Sequence, residues 1–261
     1  VVDESTGTPE RSGVKSSLRT LEILELLASD DQRRTITAIA RELGSPKSSV
    51  HSIVHTMADR GWLQVSADGT RYGLGIRSLL AGTSYIETDD VVTLTRGTLD
   101  TVAERTGETV HLGRLDGADV VYLAKRESVH PLRLYSAVGR RLPAHATALG
   151  KALLAQLEPS AVDALLGPGP LRALTPATIT DRAQLDDELA SVRATGLAHD
   201  RGENSAGISC FAVPIGRAGS LNAISCSLPD ARLTDSHRDE IVAALVDGAR
   251  EAGSLLGRFG A

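Results

Sequence analysis

Cys210 is the residue type from which a thiol enzyme is built, and the 261-residue chain holds only one other cysteine, Cys226. A thiolate nucleophile needs a nearby base and a lowered pKa, and His145 is the motif-borne candidate for that base. A disulfide between Cys210 and Cys226 and a role as a small residue lining a pocket are the other two readings. A metal centre needs more ligands than two dispersed cysteines and scattered histidines provide, so neither metal nor cofactor is expected. A second chemistry lies far upstream. Lys47, Ser48, Ser49, His51, Ser52 and His55 recur on one side of a helical pattern whose other side is Val50, Ile53, Val54 and Met57. Short polar groups with a cation near a helix start are what a DNA recognition helix presents to bases and phosphates, although a solvated face looks the same.

The flanking elements favour the DNA reading. Leu18, Leu21, Leu24 and Leu27 form a stripe at three-residue steps, predicting a helix capped by Ser16 or Ser17. A short helix is expected from Thr37 to Leu43. Gly44 supplies the positive φ of a tight turn, Ser45 an N-cap and Pro46 the first position of the next helix, which runs to about Arg60. Trp62 to Val65 and Arg71 to Leu74 alternate like strands around Asp68-Gly69, a hairpin signal. A hairpin after a helix-turn-helix is a wing, and Arg71 near its tip can reach phosphate.

Charge agrees with this division. The chain carries a net charge of −5, yet from Arg11 to Gly82 ten Lys and Arg face seven Asp and Glu. A basic head on an acidic body fits nucleic acid at one end and a ligand at the other. Hydrophobic residues make up 41% and charged ones 23%, which excludes a mainly disordered chain. No apolar run suits a membrane helix, and the polar stretch Val1 to Ser16 suits no leader, so a cytoplasmic protein is expected.

Helical periodicity continues from Ile76 to about Glu104 as a connector suited to dimer contacts. Beyond it the pattern is α+β. Strands are expected at Thr109 to Leu115, Asp119 to Lys125, Leu132 to Val138, Ile208 to Ile215 and Asn222 to Leu228. Helices are expected after Pro143 to near Leu157, from Asp181 to Thr195, and from a Thr234 cap to about Leu256. Hairpins with inserted helices imply an antiparallel sheet rather than a doubly wound one. The division is a disordered tail over 1–16, a winged helix-turn-helix over 17–76, a helical linker over 77–105 and an effector-binding domain over 106–261.

Two body segments, GRRLPAHATALGK from Gly139 to Lys151 and HDRGENSAGISCFAVP from His199 to Pro214, complete the picture. With the winged head, they make the chain resemble the IclR family of bacterial transcriptional regulators from about Ser17 to Leu256. The resemblance implies a C-terminal GAF/profilin-like antiparallel-sheet effector domain and a homodimer or homotetramer on double-stranded operator DNA. It also implies a pocket in which Asp200, Cys210, Ser225 and Ser227 are the polar residues and Leu134, Leu142, Ala148 and Leu149 the apolar wall. The residues support such a pocket. Ser225 and Ser227, two apart on a strand, share a face, and the helix start after Pro143 suits a carboxylate. Asp200 would repel an anionic ligand, so it accepts a proton or orients a donor. Lys151 reads as a solvated helix residue and His145 as a structural histidine. The expected function is a regulator, in the sense of a repressor, controlled by a small organic acid. A thiol hydrolase or isomerase using Cys210 is the alternative.

Overall fold

The computed structural model describes residues 14–29, 32–131, 136–216 and 219–259. The chain divides into two compact units, Val1–Tyr85 and Ile86–Ala261.

The first unit holds helices α1 (Lys15–Ala28), α2 (Ile36–Glu42) and α3 (Lys47–Asp59), then strands β1 (Leu63–Val65) and β2 (Tyr72–Leu74). Its core is Ile23, Leu27, Ile39, Ala40, Val50, Val54, Met57, Leu63 and Tyr72. The expected leucine stripe of α1 is only half right. Ile23 and Leu27 are buried, whereas Leu18 and Leu21 are 53% and 55% exposed, because the buried face is set by a four-residue step. Helix α1 starts at Lys15 without a side-chain cap, ahead of Ser16 and Ser17. Thr35 caps α2 by accepting from the Ala38 N–H at 3.2 Å. The α3 cap is Pro46 rather than Ser45, whose hydroxyl donates to the Leu43 carbonyl instead. Gly44 has φ +56° in the turn between the two helices, as that turn requires.

In the wing, the Ser66 N–H still donates to the Arg71 carbonyl at 2.8 Å, so the connection spans four residues rather than two. Asp68 organises it. Its carboxylate accepts from the Ser66 hydroxyl, the Thr70 N–H and the Thr70 hydroxyl. Those bonds lower its pKa to about 2.

Helix α4 (Ile76–Thr88) follows, then α5 (Asp90–Leu94) and α6 (Arg96–Thr106). Asp89 caps α5, accepting from the Val92 N–H. Val91, Val92, Leu99 and Val102 lie in the core of the second unit, so α5 and α6 are structural parts of it.

The second unit is built on strands β3 (Thr109–Asp116), β4 (Asp119–Arg126), β5 (Arg141–Pro143), β6 (Ala198–Arg201), β7 (Ile208–Ile215) and β8 (Asn222–Pro229). They form one antiparallel sheet in the order β5-β4-β3-β8-β7-β6. Residues 132–135, including Leu134, lie outside the described residues, and Ser136 to Val138 is coil and turn rather than strand. Helices α7 (Ala148–Leu154), α8 (Pro159–Leu166) and α9 (Arg182–Thr195) contribute to the core on one sheet face. The terminal helix α10 (Asp235–Phe259) packs with α6 on the other. Strand parity feeds both cores. Val110, Leu112, Phe211, Val213, Ile224, Cys226 and Leu228 point to the α10 side, and their sequence neighbours to the α7 side.

Glycines permit the close packing on the α7 side. A Cβ at Gly150 would stand 2.1 Å from the Ala144 carbonyl oxygen, and one at Gly113 would meet a Leu149 methyl at 2.8 Å. Helix α8 and strand β6 escaped the sequence reading; each is short, although Val162, Leu165 and Leu166 recur at helical spacing after Pro159.

Candidate functional site

The polar face of α3 lies largely open. Lys47, Ser48, His51, Ser52 and His55 are exposed, whereas Ser49 is half-buried and accepts from an Arg19 Nη at 2.8 Å. The Ser52 hydroxyl donates back to the Ser48 carbonyl, and the His51 and His55 rings lie 4.3 Å apart between centroids. Arg71 is exposed at the foot of β2, and its guanidinium reaches the Arg33 carbonyl only at 3.5 Å. This face presents a cation and short donors and acceptors without burying any of them, a surface able to meet phosphate oxygens and base edges.

In the second unit the sheet and α7 line a small pocket that opens to solvent. The register builds its floor. Cys210 lies opposite Ser227 and Ala212 opposite Ser225 across β7 and β8, while Asp200 on β6 lies opposite Cys210. Residues directly opposite in an antiparallel pair share a face. Ala148 and Leu149 at the start of α7 and Tyr122 on β4 complete much of the wall. Six of the expected pocket residues therefore come together. Leu142 does not line the space; it is buried in the adjoining core.

Tyr122, Thr147, Asn204, Ser205 and Ile208 line the pocket and were not anticipated. The Thr147 hydroxyl caps α7, accepting from the Gly150 N–H at 3.0 Å. A Thr three residues before a Gly-containing helix start was the available signal. Ile208 shares the Cys210 face of β7, whereas Tyr122, Asn204 and Ser205 are brought in by the β3–β4 pairing and by the loop after β6, which single-strand periodicity does not reveal.

Behind the pocket sit buried polar groups. His111 lies opposite Ser225 and Thr109 opposite Ser227 on β3. The His111 ring stacks on Tyr122 at 4.3 Å and its Nε2 meets the Ser136 hydroxyl at 2.7 Å. Among the described residues its Nδ1 and the Thr109 hydroxyl have no hydrogen-bond partner. Burial lowers the His111 pKa to about 3, so the ring is neutral, and raises the Tyr122 phenol.

Lys151 corrects the expectation of a solvated side chain. It is fully buried, and its Nζ donates to the Glu188 carboxylate at 3.1 Å, the His199 carbonyl at 2.5 Å and the Glu203 carboxylate at 2.6 Å. Spacing alone could not show this, because the partners lie 37 to 52 residues downstream. His145 is buried, its Nε2 3.0 Å from the Arg172 carbonyl, in keeping with a structural role.

Cys210 and Cys226 are free thiols on opposite sheet faces, which excludes the intramolecular disulfide. Burial and the Asp200 carboxyl raise the Cys210 pKa well above that of an ordinary thiol, and a hydrogen bond with Ser227 offsets this only in part. That environment is opposite to the one that generates a reactive thiolate. Among the described residues no group of three His, Cys, Asp or Glu side chains could hold a metal ion, and no helix is long and apolar enough to cross a membrane.

Asp200 is a strongly perturbed carboxyl on the same floor. It is buried, and its Oδ1 accepts from the Glu203 N–H at 2.6 Å and the Asn204 N–H at 3.4 Å. Desolvation raises its pKa to about 7; the neighbouring Glu203 charge adds to this, and the backbone N–H bonds and Lys151 oppose it.

Known proteins share both units. Residues 16–67 match the profile described as the IclR helix-turn-helix domain, and residues 83–253 match that of the bacterial transcriptional regulator IclR C-terminal region. The HTH-type transcriptional regulator XynR of Escherichia coli K12 is 35% identical over 247 residues, covering 94% of this chain and 96% of that protein. The transcriptional repressor IclR of the same organism is 30% identical over 247 residues, covering 93% of this chain and 90% of that one. The crystal structure of an IclR homologue from Microbacterium hydrocarbonoxydans, complexed with 4-hydroxybenzoate, aligns with a TM-score of 0.76 at 26% identity. That alignment covers 93% of this chain and 99% of the other.

Proposed function

Because the chain belongs to the IclR family of bacterial transcriptional regulators, with a DNA-binding helix-turn-helix head and an effector-binding C-terminal domain, we propose specific roles for its two faces. Helix α3 enters the major groove. Lys47 and Arg71 hold phosphates, and Ser48, His51, Ser52 and His55 read base edges, with Ser49 restrained by Arg19. A small organic acid occupies the pocket formed by Asp200, Cys210, Ser225, Ser227, Ala148 and Leu149, with Leu142 in the adjoining core supporting the wall. The observation that carries this reading is the pocket itself, in which three strands and α7 converge hydroxyl, thiol and carboxyl groups on one small space. The relative bound to 4-hydroxybenzoate supports the ligand class, and the repressor relative supports repression as the sense of control.

Two copies bind a palindromic site in the cytoplasm, with half-sites about one helical turn or a multiple of it apart. The apolar side chains exposed on α1 and α4, Leu18, Leu21, Ile76, Leu79 and Leu80, are the surface a second copy would cover. Effector binding shifts the population of head arrangements; a coupling of about 1–3 kcal/mol changes operator affinity roughly 5- to 150-fold. Footprinting of the promoter upstream of its own gene, with and without carboxylic acids that raise the melting temperature, tests the reading. Protection at low salt that one acid alters is expected, and no protection at all overturns it. The body acts as a sensor rather than a thiol enzyme. Iodoacetamide at neutral pH should therefore leave Cys210 largely unmodified over minutes, and rapid alkylation would revive the enzyme alternative.

A further inference from the structure

The pocket that is offered a carboxylate already holds a buried carboxyl group and no cation. Among its described lining residues there is no Lys, Arg or His, and Asp200 is the one ionisable carboxyl. The charged and titratable groups around Asp200 do not relieve this. Lys151 of α7 is engaged by Glu203 from the loop after β6 and by Glu188 of α9, so its positive charge is already outweighed. Tyr122 of β4 and Cys210 of β7 are held neutral by burial. One oxygen of Asp200, Oδ1, is tied to the loop backbone, and the side chain lines the pocket. A carboxylate arriving beside an ionised Asp200 would set two like charges together in a low-dielectric site, which such pairs avoid by sharing one proton.

Resting on the reading of the body as the sensor of an organic acid, we propose that the effector enters this pocket together with one proton, held between its carboxylate and the Asp200 side chain. The balance is simple: the ligand anion, the Asp200 carboxylate and one solvent proton give one hydrogen-bonded acid–carboxylate pair, with no other bond changed. The site therefore selects monoacids that can place a carboxylate on Asp200 and a hydroxyl or carbonyl on Ser225 and Ser227, and a second carboxylate has no counter-charge among the described lining residues. The raised Asp200 pKa of about 7 fits the geometry, because the free protein then carries this proton below neutrality and must acquire it above.

The test is calorimetry on the full chain. The probe is the tightest binder from a panel of monocarboxylates of two to eight carbons that includes 4-hydroxybenzoate. Titrations in phosphate and in Tris, whose ionisation heats differ, count the protons taken up. Uptake should approach one per ligand at about pH 8.5 and fall towards zero near pH 5.5, with affinity weakening about tenfold per pH unit above neutrality. Asp200→Asn, which keeps the shape and the acceptor for the loop N–H groups, should take up no proton and bind with little pH dependence. Tight binding by the wild-type protein at pH 8.5 without proton uptake overturns the proposal alone, and that measurement needs no variant. If no acid binds at any pH, the acid-sensor reading falls and the proposal with it.

Discussion

The face of α3 and the sheet face around the pocket carry the same two residue types in opposite surroundings. Ser48, Ser52, His51 and His55 stand in water, while Ser225, Ser227 and His111 are at most 3% exposed. An exposed hydroxyl loses little when unpaired, so the head can carry a row of them ready for a partner. A buried one carries a desolvation penalty of about 1–3 kcal/mol unless a bond offsets it. Polar side chains in the body must therefore be matched to one another or to a ligand. The head stores recognition at its surface, and the body stores it as tension in its interior.

The contrast predicts that removing a single cation will have very different consequences in the two regions. Lys151→Ala strands the buried Glu203 carboxylate, one oxygen of which already lacks a partner. A destabilisation of about 3–5 kcal/mol is expected, read as a drop of roughly 10 °C in Tm. A loss under 1 kcal/mol would show that the buried network contributes little.

Asp200→Asn has the reverse sign. The folded-state pKa of about 7 lies above the ordinary 3.8, so the native protein holds the proton more tightly and loses stability as pH rises between those values. At pH 8 the amide should stabilise the protein by up to about 4 kcal/mol, and at pH 3 the two proteins should melt alike. Equal Tm at both pH values would place Asp200 in contact with water. The double change Ser225→Val and Ser227→Val should cut effector affinity at least tenfold while operator binding stays unchanged; loss of DNA binding instead would mean that the sheet itself had failed. The smallest effect belongs to the head. Lys47→Ala should leave Tm within about 0.5 kcal/mol of stability and lower the log–log salt slope of operator binding by about 0.9. An unchanged slope removes Lys47 from the phosphates.

Much of this division could be read from the sequence, and what could not shares one cause. Period and punctuation located α3, the wing, the β3–β4 hairpin and α9. The parity of Cys210 and Cys226 on one strand pair followed from the pleat. Lys151 and Tyr122 were missed because their roles come from segments tens of residues away, Asn204 because it sits in a loop without periodicity, and Leu18 and Leu21 because a three-residue step drifts around a helix. Local rules place elements, while long-range pairing decides which charge is buried and against what.

Strands β7 and β8 each alternate between the pocket face and the core, so that Cys210 and Ser225 touch the pocket while the very next residues, Phe211 and Cys226, carry the packing beneath α10. There is no slack layer between the two. Any displacement of these strands by an occupant is handed across the thickness of one backbone to the long terminal helix, which makes the sheet a stiff membrane sounding on both sides at once.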